Sequence, residues 1–242
     1  MRSAGCVFND FADRKFDPLV ARTKDRPLAT GIVGEKEAII LAGVLALIAF
    51  LMILRFNKLT ILLSVVALLL TITYPFTKRF FALPQAYLGV AFGFGIPMVF
   101  AASYGRVSIF AWSLLIANVF WSLAYDTEYA MVDKEDDKKI GIKTSALTFG
   151  RFDVAAVIAS QFIFLGILAI LGVWVKFGAL YFLSLIAAAG LVGYQYTLIR
   201  NHEPAKCFKA FLNNAWVGGV ILLGLVLNTS FKLGLNPAHW IR

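Results

Sequence analysis

Seven stretches of the chain are apolar for about the 17–25 residues that a helix needs to cross a bilayer, and short polar breaks separate them. They run approximately over 37–54, 59–75, 85–102, 109–125, 154–174, 179–198 and 210–229. Residues 1–8 read as the end of an eighth helix. Runs that follow one another so closely predict one bundle. The expected fold is all-α, an integral-membrane multi-helix bundle of about seven full transmembrane helices plus a partial N-terminal one, with 1–242 as a single domain. Composition agrees, since 60% of the 242 residues are hydrophobic and the mean hydropathy is +0.79. A soluble domain is nearer half apolar; a bilayer can cover the excess. No cleavable leader is expected, because Arg2 and a short apolar stretch lead straight into charged residues.

Charge sharpens the picture. The net charge of +9 does not point to nucleic acid, because the basic residues are spread over the inter-helix breaks. The alternating breaks 9–36, 76–84, 126–153 and 199–209 hold 16 Lys and Arg, against 6 in 55–58, 103–108, 175–178 and the tail from 230. The positive-inside rule therefore predicts that the first set faces the cytoplasm. Of the 14 acids, six fall between Asp10 and Glu37 and seven between Asp126 and Asp153, leaving Glu203. Tyr74 and Tyr125 fall at expected cytoplasmic ends, and Tyr104, Trp112, Trp174 and Tyr181 near the opposite surface, as in an aromatic belt. Cys6 and Cys207 form no CxxC pair and read as packing residues. His202 and His239 are too few for a histidine metal site, and Asn118, Asn213 and Asn214 read as inter-helix hydrogen-bonding groups.

The two acid-rich breaks share a spacing. If helical, Asn9, Asp13 and Asp17 lie four apart on one face. Asp126, Asp133 and Asp137, spaced seven and four, also stack on one face, with Glu135 and Asp136 turned to solvent. Like charges at such spacing repel unless a cation sits between them. Converging oxygens suit Mg²⁺, which usually completes its shell with water and substrate phosphate. Two readings stand: solvated acids balanced by nearby Lys and Arg, or paired metal sites. The repeated geometry on one side favours the second. The second run lacks the glycine of a calcium-binding EF-hand loop. Arg14, Arg22, Arg26, Lys78, Arg79 and Lys143 lie on the same side as donors for the outer oxygens of a diphosphate, with Lys143 better read as a topology-setting charge. Tyr74 and Lys78 are four apart and can present together.

These residues resemble the UbiA-type prenyltransferases. Asn9-Asp10-x-x-Asp13-x-x-x-Asp17 looks like that family's first aspartate motif, and Arg22-Thr-Lys-Asp-Arg26-Pro27-Leu28 like the basic stretch after it. Tyr74-Pro-Phe-Thr-Lys78 resembles its YxxxK motif, and Asp133-x-x-x-Asp137 its second aspartate motif. The string from Tyr125 to Lys143 is close to the 4-hydroxybenzoate branch of the family. The likeness covers essentially the whole chain. The family has nine transmembrane helices, so this chain is expected to begin inside the second.

The resemblance implies a bundle around a cavity that opens sideways to lipid and takes a polyprenyl diphosphate and 4-hydroxybenzoate, in a bacterial inner membrane. It implies Mg²⁺ held by Asn9, Asp13, Asp17, Asp133 and Asp137, and a diphosphate bound by Arg14, Arg22, Arg26, Lys78 and Tyr74. Asp13, Asp17, Asp133 and Asp137 would be catalytic, Arg79 would meet the acceptor carboxylate, and Asp133 or a phosphate oxygen would take the ring proton. Alternatives are a sister enzyme with another aromatic acceptor and, in a different class, a membrane cation transporter. A transporter should place its acids near the bilayer midplane, whereas these gather at one surface.

Overall fold

The structure, a computed structural model, describes residues 1–231; His239, Lys232 and Arg242 lie outside that range. The described residues form helices throughout: α1 (Arg2–Asp13), α2 (Glu35–Ile53), α3 (Lys58–Thr77), α4 (Pro84–Gly93), α5 (Gly95–Tyr104), α6 (Ile109–Val132), α7 (Lys134–Ile140), α8 (Ser145–Phe149), α9 (Asp153–Trp174), α10 (Ala179–Ile199) and α11 (Pro204–Phe231). Seven membrane-length segments result, α4 and α5 together making one span bent at Phe94. Side-chain caps set several starts. Asn57 accepts from the Thr60 N–H at 3.0 Å, and Thr144 from the Leu147 N–H at 3.3 Å. Glu37 reaches back to the Gly34 N–H at 2.8 Å. The expected eighth element is the short N-terminal helix α1, at ~18 Å too short to span.

The expected spans match except at two ends. α6 runs on to Val132, past the expected stop at 125, and α11 starts at Pro204. Polarity at 126–132 suggested a loop, but the helix continues because its polar groups have partners inside the protein. Glu128 is fully buried and accepts from Asn214 Nδ2 at 2.7 Å. Asn214 Oδ1 in turn accepts from Gln161 Nε2 at 2.8 Å and Trp121 Nε1 at 3.1 Å. Gln161 also donates to Gln195, and Gln195 to Asn213. Asn118 donates to the Gly89 carbonyl at 3.0 Å. The three asparagines therefore join helices, as expected.

Packing is uneven. α6, α9, α10 and α11 share a dense core of Ala117, Phe164, Leu168, Leu185, Ala188 and Val217. α2 instead leaves Ile40, Leu41, Leu47, Leu51 and Met52 at least half exposed. Exposed apolar area on that scale belongs against lipid. Tyr104, Trp112 and Trp174 are partly exposed, as a belt requires, but Tyr181 is buried and donates to the Leu168 carbonyl at 2.9 Å. Tyr181 is a core residue, because burial of its ring is matched by a partner for its hydroxyl. Cys207 is buried in the packing, whereas Cys6 is exposed.

Gly89 lets α4 lie against α6: a Cβ there would fall 2.8 Å from Val119 Cα. Gly89→Ala should destabilise the protein by about 1–3 kcal/mol through overpacking. Gly166→Ala, where a Cβ meets nothing within 4 Å inside α9, should not lower the unfolding temperature in detergent and should raise it slightly, because Ala is the better helix former.

Candidate functional site

Helix alternation brings the segments 14–34, 78–83, 133–152 and 200–203 to one end of the bundle, and side-chain bonds link them there. Below them lies a cavity of about 1020 Å³. Its polar head is lined by both acidic clusters, and its apolar wall by Ala46, Phe50 and Ile53 of α2, Leu68 of α3, and Leu88 and Met98 of α4–α5.

Neither cluster is a continuous helical face. α1 stops at Asp13, and Asp17 opens a short 3₁₀ turn, Asp17–Leu19. Pro18 explains the break, since it lacks an N–H and its ring would meet the carbonyl four residues back. Asp133 sits at a joint between α6 and α7 with φ −99° and ψ 7°. The bends still leave Asn9, Asp13, Asp17, Asp126, Asp133 and Asp137 around the same cavity. Glu135 is exposed as expected, but Asp136 accepts the Ala21 N–H at 3.3 Å, which with Lys139 holds its carboxyl below the usual range.

Most of these acids are answered by cations. Lys78 Nζ donates to Asp13 Oδ2 at 2.7 Å and to Asn9 Oδ1 at 3.4 Å, and lies 5.6 Å from the Tyr74 ring centroid. Arg26 donates to Asp10 at 2.7 Å and to Asp17 at 3.2 Å. Arg22 forks onto Asp133, with Nη2 2.5 Å and Nε 3.0 Å from Oδ2, and stacks 4.1 Å over the Tyr129 ring. Burial pushes the Asp17 carboxyl up, against the pull of Arg26 and with a push from Asp13. Asp137 is pushed up to about 7 by burial and by the Asp133 charge beside it.

Two expected members are elsewhere. Arg14 pairs with Glu35 of α2 at 2.9 Å and lies 4.2 Å over Phe11, outside the cavity lining. Arg79 is exposed, donates to the Ala12 carbonyl at 3.4 Å, and packs against Phe76 and Phe16. Each follows a neighbouring ring and acceptor away from the cavity. Lys143 donates to the Phe80 carbonyl at 3.0 Å and is exposed.

Asp126, which the spacing placed with Asp133 and Asp137, lines the cavity with no cation bonded to it among the described residues. Other residues enter that the spacing argument passed over: Arg2 lines the cavity with no carboxylate partner among the described residues. Tyr125, Tyr129 and Phe211 form an aromatic wall, with the Tyr129 and Phe211 centroids 4.7 Å apart. Asp126 and Tyr125 stood in the acidic string itself; Phe211, far along the chain, left no local signal. Among the described residues no three acidic, His or Cys side chains converge tightly enough to hold a metal by themselves.

Known proteins resemble this chain in sequence and in fold. The model of the UbiA prenyltransferase family matches residues 1–227. A 4-hydroxybenzoate octaprenyltransferase from Nitrosomonas eutropha is 62% identical over 229 residues, covering 95% of this chain and 80% of that protein. One of the same description from Paraburkholderia phytofirmans is 60% identical over 225 residues, covering 93% and 78%. Among solved structures, the apo structure of a UbiA homolog from Aeropyrum pernix superposes with a TM-score of 0.83 at 26% identity, covering 94% of this chain and 85% of that one. Paired acidic clusters at the head of an apolar cavity, a family match over nearly the whole chain and a shared backbone agree: this chain belongs to the UbiA prenyltransferase family.

Proposed function

We propose that this protein transfers a polyprenyl group from polyprenyl diphosphate to the ring of 4-hydroxybenzoate in ubiquinone biosynthesis, the whole chain acting as one prenyltransferase unit. The observation that carries the reading is a single cavity with an acid- and base-lined head and a long apolar wall. Such a cavity suits a substrate with a dianionic head and a hydrocarbon tail. The close relatives are described as 4-hydroxybenzoate octaprenyltransferases. Their bacterial origin and the excess of Lys and Arg at the site end support a bacterial inner membrane with that end in the cytoplasm.

The groups of the two acidic clusters that could ligate a metal, carboxylates and the Asn9 amide, are all oxygen donors, which fits Mg²⁺. The pairs available from each cluster fit the habit of this ion, which takes one or two carboxylates and completes its shell with phosphate and water. Asn9, Asp13 and Asp17 would serve one ion, and Asp133 and Asp137 a second. When bound, the metal supplies charge stabilisation to the departing diphosphate. Lys78, Arg22 and Arg26 are already in the head, and an arriving diphosphate offers them oxygens in exchange for carboxylates. The C1–oxygen bond breaks with its electron pair going to the diphosphate. Tyr125, Tyr129 and Phe211 present ring faces to the allylic cation that remains.

The acceptor carbon beside the phenol hydroxyl then bonds to C1, and its ring proton passes to a base. Asp126 suits that step better than Asp133, whose carboxylate is already forked by Arg22. Arg2 replaces Arg79 as the partner for the acceptor carboxylate, because it lines the cavity and has no acid of its own.

Asp13→Ala and Asp137→Ala should each lower turnover by at least about a hundredfold, equivalent to ~3 kcal/mol of transition-state stabilisation, while the protein stays in the membrane. The assay follows radiolabelled 4-hydroxybenzoate into lipid-soluble product, and EDTA should abolish it; near-normal activity in both variants would sink the assignment. Arg2→Met should raise the KM for 4-hydroxybenzoate while leaving that for the diphosphate unchanged. An equal rise in both would return the acceptor carboxylate to another cation. Binding metal requires ionised Asp137, which carries a proton below about pH 7 in the metal-free protein. The Mg²⁺ concentration giving half-maximal turnover should therefore rise as pH falls from about 8 to about 6. A flat profile would remove Asp137 from the ligand set.

A further inference from the structure

A buried carboxylate outside the cavity ties three of the connecting segments together. Asp153 opens α9 and is fully buried. Its Oδ2 accepts from Lys134 Nζ at 2.6 Å, while Oδ1 accepts the Val154 N–H at 2.7 Å and meets His202 Nε2 at 2.9 Å. Lys134 also donates to the Gly150 carbonyl at 3.1 Å. One carboxylate thus holds the α6–α7 joint, the turn between α8 and α9 and the turn between α10 and α11. His202 sits at φ +55°, a left-handed conformation that a non-glycine residue keeps only where its surroundings hold it. None of the three side chains lines the large cavity.

What this cluster does follows from the weakness of α7. That helix has seven residues and none of them is buried. So short a helix has little stability of its own, and its packed face is small: Lys134, Asp136, Asp137 and Ile140 are only half-buried, and between its two ends a single bond from the Ala21 N–H to Asp136 reaches another segment. It nevertheless begins next to Asp133 and carries Asp137, whose charges repel. Its far end is tied by the Lys143 N–H to the Lys78 carbonyl at 2.9 Å. Its near end is tied by Lys134, its first residue, to Asp153.

We propose that the Lys134–Asp153–His202 cluster is a positioning device: through Lys134 it fixes the root of α7 and so holds Asp133 and Asp137 toward the cavity. The inference rests on the function proposed above for those two acids. Lys134 and Asp153 are positioning residues, acting on substrate only through the acids they hold. Removing Lys134 loosens the root while His202 and Val154 still answer Asp153. Replacing Asp153 by Asn keeps its shape and removes the charge that Lys134 follows.

The test uses the full chain in detergent, as wild type, Lys134→Met, Lys134→Arg and Asp153→Asn. Binding of Mn²⁺ with inorganic diphosphate is followed by electron paramagnetic resonance, and amide exchange is measured over residues 134–140. Lys134→Met and Asp153→Asn should each weaken Mn²⁺–diphosphate binding by about tenfold or more, as loss of groups that orient metal ligands does. In Lys134→Met, exchange in α7 should quicken without change in α9–α11, because His202 and the Val154 N–H still meet Asp153; the KM for 4-hydroxybenzoate should stay constant, and Lys134→Arg should restore binding. Unchanged binding and unchanged α7 exchange in Lys134→Met, with only a lower unfolding temperature, would overturn the proposal. If Asp153→Asn fails to fold, Lys134→Met decides alone. Wild-type protein that binds Mn²⁺–diphosphate yet never prenylates 4-hydroxybenzoate would overturn the proposed reaction while leaving the positioning role standing.

Discussion

Charge at the head of an apolar bundle must be answered where it stands, because there is little water to screen it. That constraint organises the site end of this protein. Lys78 reaches from the end of α3 to Asp13 of α1, Arg26 gathers Asp10 and Asp17, and Arg22 crosses from the first acidic region to Asp133 in the second. The same ion pairs that make burial of the acids tolerable also draw distant parts of the chain around one cavity. Asp126 and Asp137 line it with no ion pair of their own among the described residues. The head therefore holds both donors for an anion and free carboxylate for a cation.

The bundle beneath divides the labour. α6, α9, α10 and α11 form a dense half, pinned by the buried Glu128–Asn214–Gln161–Gln195 chain of hydrogen bonds. Inter-helix bonds of this kind take the place of the hydrophobic drive that lipid does not provide. They also fix the rotation of α6, with Glu128 turned into the core and Tyr125, Asp126 and Tyr129 turned to the cavity. α2 and α3 pack more openly, with large aliphatic side chains exposed on the outside and the cavity on the inside. The dense half turns Tyr125, Asp126 and Tyr129 to the cavity, and the open half supplies an apolar wall next to lipid together with Lys78 at the end of α3.

Much of this was legible in the chain. A helix of about twenty apolar residues announces itself by length and composition, since the bilayer demands it whatever the neighbours. The two acidic motifs, the Tyr74–Lys78 pair and the basic stretch from Arg22 were readable as well, because their residue types are costly in a membrane protein and their spacing is local. Polarity and exposure part company at two places. Residues 126–132 looked like loop and are helix, because Asn214, nearly ninety positions on, satisfies Glu128. Tyr181 looked like belt and is core.

The sequence by itself determined the seven spans, the concentration of acids and bases at one end, and the family motifs. These depend on hydrophobic length and on short-range spacing, both of which are written along the chain. Only the tertiary structure decided which charges enter the cavity. Arg14 and Arg79 are as basic as Arg22 and Arg26, yet Glu35, Phe76 and backbone carbonyls hold them outside it. Arg2 and Phe211 enter it, and Asp153 binds Lys134 and His202 behind it. A side chain's direction depends on partners brought near by folding, and no local pattern records where those partners will be.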